Sequence, residues 1–407
     1  MNPTSLHERE PILDALRGFA VLGILLINME VMRGPGWIAL MSDGTVAPAA
    51  SLAEKIAQFA IGWLGTGKFV SSLAILFGVG AGLIAARSLA AGQSPRTLLA
   101  RRYVGLMGFG IAHMLLLYPG DILFVYGVTG FTLLPFVTLR TRSLLVWAGA
   151  IMTAYTALGM RYLWSSFQVE AAEHAEAPAG EFLTVASDQA AQAVAAMTAG
   201  SYADVISVHA WQALLLQTGQ LYAWPWLLAF FVLGFAVARA GVATDVSAHR
   251  TLLKRGAWFG LGLGLPANLV LGWFGPLVGF SALPWAEPSW IMRWAAFAQL
   301  LGEPLLAVGY LCALSLLWLR SGVARPLAAV GRMALTAYLL QSALALSIMR
   351  GLNLYDELTT ASALIVIAGI WTLLLVICPL WLRWFQMGPV EWLWRSLTYG
   401  RVPLRSS

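Results

Sequence analysis

The sequence predicts an all-α fold, a polytopic membrane helix bundle. Three observations predict it. Of 407 residues, 59% are hydrophobic and only 11% charged, mean hydropathy is +0.75, and the apolar residues are gathered into long runs. Soluble domains carry about a quarter charged residues, and the interior of a soluble fold could not absorb this much apolar surface.

Crossing about 30 Å of hydrocarbon takes roughly 17 to 25 helical residues. Runs of that kind fall near 13–31, 69–86, 102–118, 121–139, 144–163, 222–239, 256–276, 294–319, 330–349 and 361–382, about ten transmembrane helices. With the amino terminus inside, 18 of the 25 Lys and Arg fall on inner segments, six (Arg33, Lys55, Lys68, Arg161, Arg293, Arg350) outside and Arg17 within the first helix. The positive-inside bias therefore predicts both termini cytoplasmic. The first run, with Asp14 and Arg17 inside it and no small-x-small site after it, reads as a retained helix rather than a leader.

The connection 164–221 carries Glu170, Glu173, Glu176, Glu181, Asp188 and Asp204 but no Lys or Arg, and is expected as an outer acidic loop. Its centre, EAAEHAEAPAGEF, is compatible with a surface helix broken at Pro178. Residues 51–65 are too short to cross and are expected as an interfacial or re-entrant helix. Trp37, Trp63, Tyr118, Trp164, Trp224 and Trp290 sit near outer boundaries and read as an aromatic belt. The whole chain 1–407 reads as one transmembrane domain, ending in a basic cytoplasmic tail at 383–407.

A net charge of +6 does not signal nucleic acid, because the basic residues are spread through the loops without interleaved stacking aromatics. Cys312 and Cys378 have no CxxC partner, so neither a disulfide framework nor a metal site is expected.

An ionisable side chain within a membrane helix costs about 2.5 to 3.5 kcal/mol and needs a partner or a task. The short list is Asp14, Arg17, Asn28, His113, Asp121, Glu303, Arg332 and Gln341. Asp14 and Arg17 are spaced for an ion pair on one helix face; Arg17 could equally hold an anionic group such as a phosphate. Asn28, Lys68, His113, Asp121 and Glu303 project to one outer depth, which makes them the candidate site. His113 suits proton transfer near neutrality. Asp121 follows a Pro-Gly turn, where it could cap a helix, orient the imidazole, or do both; five helical residues, roughly 7.5 Å, separate His113 from the turn, so spacing leaves their contact open. GKFVSSLAILFGVGAG lacks phosphate-loop spacing, and its Gly78, Gly80 and Gly82 are expected to let helices approach.

LDALRGFAVLGILLINM, GKFVSSLAILFGVG, GFGIAHMLLLYPGDIL, VGRMALTAYLLQS and GPVEWLWRSLTYG resemble, in order, the signatures of the YeiB-like bacterial inner-membrane family, domain of unknown function 418. That family resembles a wider transmembrane acyltransferase superfamily, which includes the lysosomal heparan-alpha-glucosaminide N-acetyltransferase; the first-helix signature matches Leu16, Arg17, Gly18 and Asn28, and no histidine follows Asn28 before His113. The resemblance implies a multi-pass protein of the bacterial inner membrane that takes an acyl group from cytosolic acyl-CoA to a glycan or small hydroxyl or amine acceptor beyond the bilayer. His113, Asp121 and Asn28 are then the expected catalytic set. Lys68, Glu303 and Gln341 are the expected acceptor contacts; Arg17, Arg101, Arg102 and Arg332 are the expected acyl-CoA contacts. No metal is expected, and a homo-oligomer is allowed. The competing reading is a proton-coupled transporter or flippase with His113, Asp121 and Glu303 as relay, for which a helix broken at LGLGLPANLVLGW, 261–273, would be a mark. A noncatalytic scaffold is a third.

Overall fold

In the computed structural model, which describes residues 11–38, 51–169, 179–274, 294–295, 297–400 and 404, every regular element is a helix. The first half of the described chain contains α1 (Pro11–Met32), α2 (Leu52–Leu64), α3 (Lys68–Ala90), α4 (Pro95–Leu116), α5 (Leu123–Leu133) with a 3₁₀ turn behind it, and α6 (Thr141–Val169). Then follow α7 (Ala179–Thr198), α8 (Tyr202–Tyr222), α9 (Trp224–Arg239), α10 (Arg250–Phe274), α11 (Glu303–Ser321), α12 (Arg325–Arg332), α13 (Ala334–Gly351), α14 (Thr360–Trp381) and α15 (Pro389–Tyr399).

Among the described residues, five helical stretches are long and apolar enough to cross a membrane, or up to seven when two bent pairs each count as one span. The chain is a multi-pass membrane protein. The described residues of the ten apolar runs are mainly helical, the run 330–349 crossing the break between α12 and α13, but several of these helices do not qualify alone.

α1 is apolar on all sides and therefore central: it packs against α3, α11, α12, α13 and α14. Gly18 explains one of these contacts, because a side chain there would strike the Leu327 carbonyl of α12, and one at Gly331 would strike the Asp14 carbonyl. Without lipid-excluded surface to drive them together, helices approach where small residues let their backbones meet. Gly78 and Gly82 face α9 in the same way, whereas Gly80 points elsewhere, toward Arg17. The helices at the periphery present apolar side chains outward, such as Val146 and Trp147 on α6 and Ile365 and Val376 on α14.

Several local expectations are corrected. The Gly-Pro stretch 261–273 does not break: α10 runs unbroken through Pro266. Its Gly260 and Gly264 lie against the α11 backbone, and a packed neighbour supports a proline inside a membrane helix. The bends lie elsewhere, at 90° between α12 and α13 and at 62° between α8 and α9. The described part of the connection 164–221 is helical except at 199–201, where a Ser201–Asp204 capping box starts α8. The acidic centre at 170–178, Arg9, Arg293, Trp290, Arg401 and Arg405 lie outside the described residues. α2 packs on α10 and α14, and its Glu54 accepts the Thr360 and Ala361 N–H groups at 3.0 and 2.8 Å, which caps α14. Trp37 and Tyr118 are buried rather than belt residues.

Candidate functional site

His113 lies in the last turn of α4, whose end is followed by the Tyr118-Pro119-Gly120-Asp121 turn. The turn folds the chain back, so Asp121 Oδ1 comes within 2.8 Å of His113 Nδ1, with both side chains fully buried. The other carboxylate oxygen accepts the Phe124 N–H at 2.8 Å and fastens the first turn of α5. Asp121 thus both caps and orients. Gly110 makes this possible: a side chain there would collide with Phe124 N and Asp121 Oδ2.

A carboxylate only accepts, so the ring proton sits on Nδ1 and the lone pair on Nε2. Nε2 has no hydrogen-bond partner among the described residues. A buried polar atom without a partner is costly and calls for an explanation. The ring is flanked by Tyr338 and Tyr118, with centroids at 4.9 and 6.0 Å. Tyr118 donates to Asn28 Oδ1 at 3.3 Å, which links Asn28 to the cluster through the phenol. Gln341 follows Tyr338 by one turn of α13 and is 1% exposed; neither its amide nitrogen nor its oxygen has a partner among the described residues.

α8 closes the cluster from outside. Gln217 donates to the Asp121 carbonyl at 2.8 Å, His209 Nδ1 approaches the Leu115 carbonyl at 3.2 Å, and the Tyr202 hydroxyl donates to the Leu116 carbonyl. The last carbonyls of a helix lack intrahelical donors, and here α8 supplies some of them. Sequence reasoning missed these residues because they sit in what reads as a loop.

Below the cluster lies a cavity of about 790 Å³ walled by α1, α3, α4, α5, α12, α13 and α15. That volume suits a small-molecule or cofactor ligand. Five arginines, Arg17, Arg87, Arg102, Arg332 and Arg395, share its wall with aromatic and apolar side chains such as Phe77, Tyr103, Ile122, Tyr126 and Tyr338. Arg17 pairs with Asp14 at 2.9 Å, as its spacing predicts, Arg102 stacks on Trp394 at 3.9 Å, and Arg332 Nη2 donates to the Gln386 carbonyl at 3.0 Å. Arg101 does not line the cavity and is exposed. Successive helical residues point about 100° apart, so it cannot share the face of Arg102. Arg87 and Arg395 read from sequence as topology signals alone; only their positions in the wall reveal more.

Glu391 on α15 also reaches the wall. Its Oε1 accepts the Leu335 and Thr336 N–H groups at 2.6 and 3.0 Å, and its Oε2 accepts the Thr336 hydroxyl. The carboxylate therefore caps α13 just past the bend. Burial pushes the Glu391 carboxyl above the usual carboxylate range, against the pull of the Thr336 hydroxyl and the N–H donors.

Lys68 and Glu303 form a separate centre rather than joining the imidazole. Lys68 is fully buried, with Nζ donating to the Gly62 carbonyl at 3.3 Å. The Glu303 carboxylate occupies the space a side chain at Gly67 would need, and Gly67 has a φ of 76°, which favours glycine. Lys68 and Glu303 act on each other electrostatically across α3 and α11 without a direct ion pair among the described residues. Removing one leaves the other buried without its opposite charge, which is costly. Lys68→Met is thus expected to lower the yield of folded protein sharply in detergent size-exclusion profiles, and adding Glu303→Gln is expected to restore part of it.

The chain is 30% identical to the uncharacterized protein YxaH of Bacillus subtilis over 98% of its own length and 96% of the relative's. It belongs to the YeiB-like DUF418 family. The family model, described as a protein of unknown function (DUF418), matches residues 237–401. That stretch holds Arg332, Tyr338, Gln341 and Glu391, while His113 and Asp121 lie before it. The uncharacterized protein YeiB of Escherichia coli is 29% identical over 96% of each chain. An uncharacterized 39.9 kDa protein from the amylase 3′ region of Bacillus acidopullulyticus is 25% identical over 98% of this chain and 97% of the relative. No solved structure matches this DUF418 chain.

Proposed function

We propose that this protein is a transmembrane acyltransferase that takes an acyl group from acyl-CoA on the cytoplasmic side and delivers it to a hydroxyl or amine beyond the membrane. One observation carries the reading: a cavity lined by five arginines and several aromatic rings has in its wall Tyr338, whose ring packs 4.9 Å from the imidazole of a buried His–Asp pair whose Nε2 has no partner among the described residues. Arginines suit phosphates, and the apolar side chains of the wall suit an acyl chain. In this reading ten spans cross the bacterial inner membrane, with both termini cytoplasmic and the donor entering from the inner side. The acceptor, a glycan or a small hydroxyl or amine compound, approaches from the outer side.

His113 Nε2 takes the acceptor proton as the acceptor oxygen or nitrogen attacks the thioester carbonyl. The new acyl bond forms, the carbon–sulfur bond breaks, and the imidazolium returns its proton to the departing thiolate. Asp121 keeps the ring in its tautomer and stabilises the transient imidazolium, as in other His–carboxylate pairs. Asn28 acts with Tyr118, which joins it to the ring, in placing the reacting groups. Gln341 offers an amide to the acceptor. Arg17, Arg102 and Arg332, with Arg87 and Arg395, hold the donor's phosphates.

The test supplies radiolabelled acetyl-CoA to inverted membrane vesicles with and without the protein, following free thiol release and label arriving in the lumen. Transfer that depends on the protein is the expected result; no acyl consumption across a panel of acetyl, short-chain and long-chain acyl-CoA donors would overturn it. The two bent helix pairs favour a second reading, a proton-coupled transporter or flippase. Uptake of solute into proteoliposomes driven by a pH gradient, without loss of acyl-CoA, would establish that one instead.

A further inference from the structure

The cavity and the imidazole do not share a wall. Ile122 and Tyr338 line the cavity, but His113 and Asp121 do not. Tyr338 adjoins both: its ring centroid is 4.9 Å from the imidazole centroid, and the residue is part of the cavity wall. Its hydroxyl accepts the Ile122 N–H at 3.4 Å, a long contact at the residue beside Asp121. Such a bond is weak.

We infer that Tyr338 is the gate between the arginine-lined cavity and the His113–Asp121 pair, and that swinging this one ring aside joins the two spaces. Three features support it. The hydrogen bond that holds the hydroxyl is at the edge of useful geometry, so little opposes its release. Among the described residues, Tyr338 is both part of the cavity wall and in ring contact with the imidazole. The turn bearing Tyr338 is fixed by Glu391, itself part of the cavity wall, so a ligand pressing on α15 acts on the start of α13.

The gate makes no use of the identity of the ligand, and it stands or falls apart from acyl transfer. It is tested by thiol accessibility in membrane vesicles of both orientations. Cys312 and Cys378, the two cysteines of the chain, are first replaced by alanine, and His113→Cys then serves as reporter. The probe is sulfonatoethyl methanethiosulfonate, a membrane-impermeant anion that the arginines attract. A second reporter, Gly80→Cys, verifies the fold, because a side chain at Gly80 would lie 3.7 Å from Arg17 Nη2 inside the cavity.

From the face that labels Gly80→Cys, the His113→Cys thiol is expected to react at least tenfold faster when Tyr338→Ala is added. Tyr338→Phe, which keeps the ring, is expected to stay slow. Where alanine reduces labelling of the Gly80 reporter, Tyr338→Leu takes its place. Equal rates with and without the ring, whether both fast or both slow, overturn the gate.

Discussion

His113→Ala is expected to reduce acyl transfer by about 10² to 10⁴-fold, the span a positioned general base contributes, while the protein still reaches the membrane and keeps its elution profile. The expectation rests on the one ring nitrogen that is buried and unpartnered in a hydrogen-bonded dyad. Alanine leaves Asp121 its Phe124 contact, so the turn keeps one of its two fastenings. The measurement is the vesicle assay with labelled acetyl-CoA, scored per unit of folded protein. Asp121→Asn sharpens it: an amide turned to donate from its nitrogen would favour the other tautomer, so transfer should fall while the helix cap survives in part. Full transfer by His113→Ala would remove the imidazole from the reaction.

Glu391→Ala is expected to destabilise the protein by about 3 kcal/mol or more, since it leaves two buried N–H groups and a hydroxyl without an acceptor, each worth roughly 1 to 3 kcal/mol. The α12–α13 bend depends on this side chain from a helix more than fifty residues later. Glu391→Gln should behave differently. Burial already favours the uncharged form of this carboxyl, and a glutamine oxygen can still accept both backbone donors. Thermal unfolding followed by size-exclusion of detergent-solubilised protein should therefore place Glu391→Gln close to the parent and Glu391→Ala far below it. The same low stability in both variants would mean that the charge, not the acceptor, secures the bend.

How much of the site was legible can be judged residue by residue. His113 and Asp121 stand out in sequence because a bilayer makes them expensive. Their contact does not, since it depends on how the Tyr118–Asp121 turn folds back and on Gly110 leaving room. Arg17, Arg102 and Arg332 were visible as inner cations, and helical phase alone separates Arg102 from Arg101. Tyr338 gave no signal, because a tyrosine in a membrane helix is unremarkable until a hollow lies beside it. Lys68 and Glu303 projected to the depth of His113, yet the structure groups them apart, since depth along the membrane normal says nothing about position around α1.

By itself, the sequence determined that this is a helical membrane protein, which runs are helical and which polar groups the apolar body must accommodate. These follow from composition and local periodicity, properties each segment carries alone. The tertiary structure decided which polar groups meet, where the helices bend and that Tyr338 sits in a cavity wall. Those depend on contacts between residues far apart in the chain, such as Glu391 with Thr336 or Tyr118 with Asn28, and no local pattern encodes them.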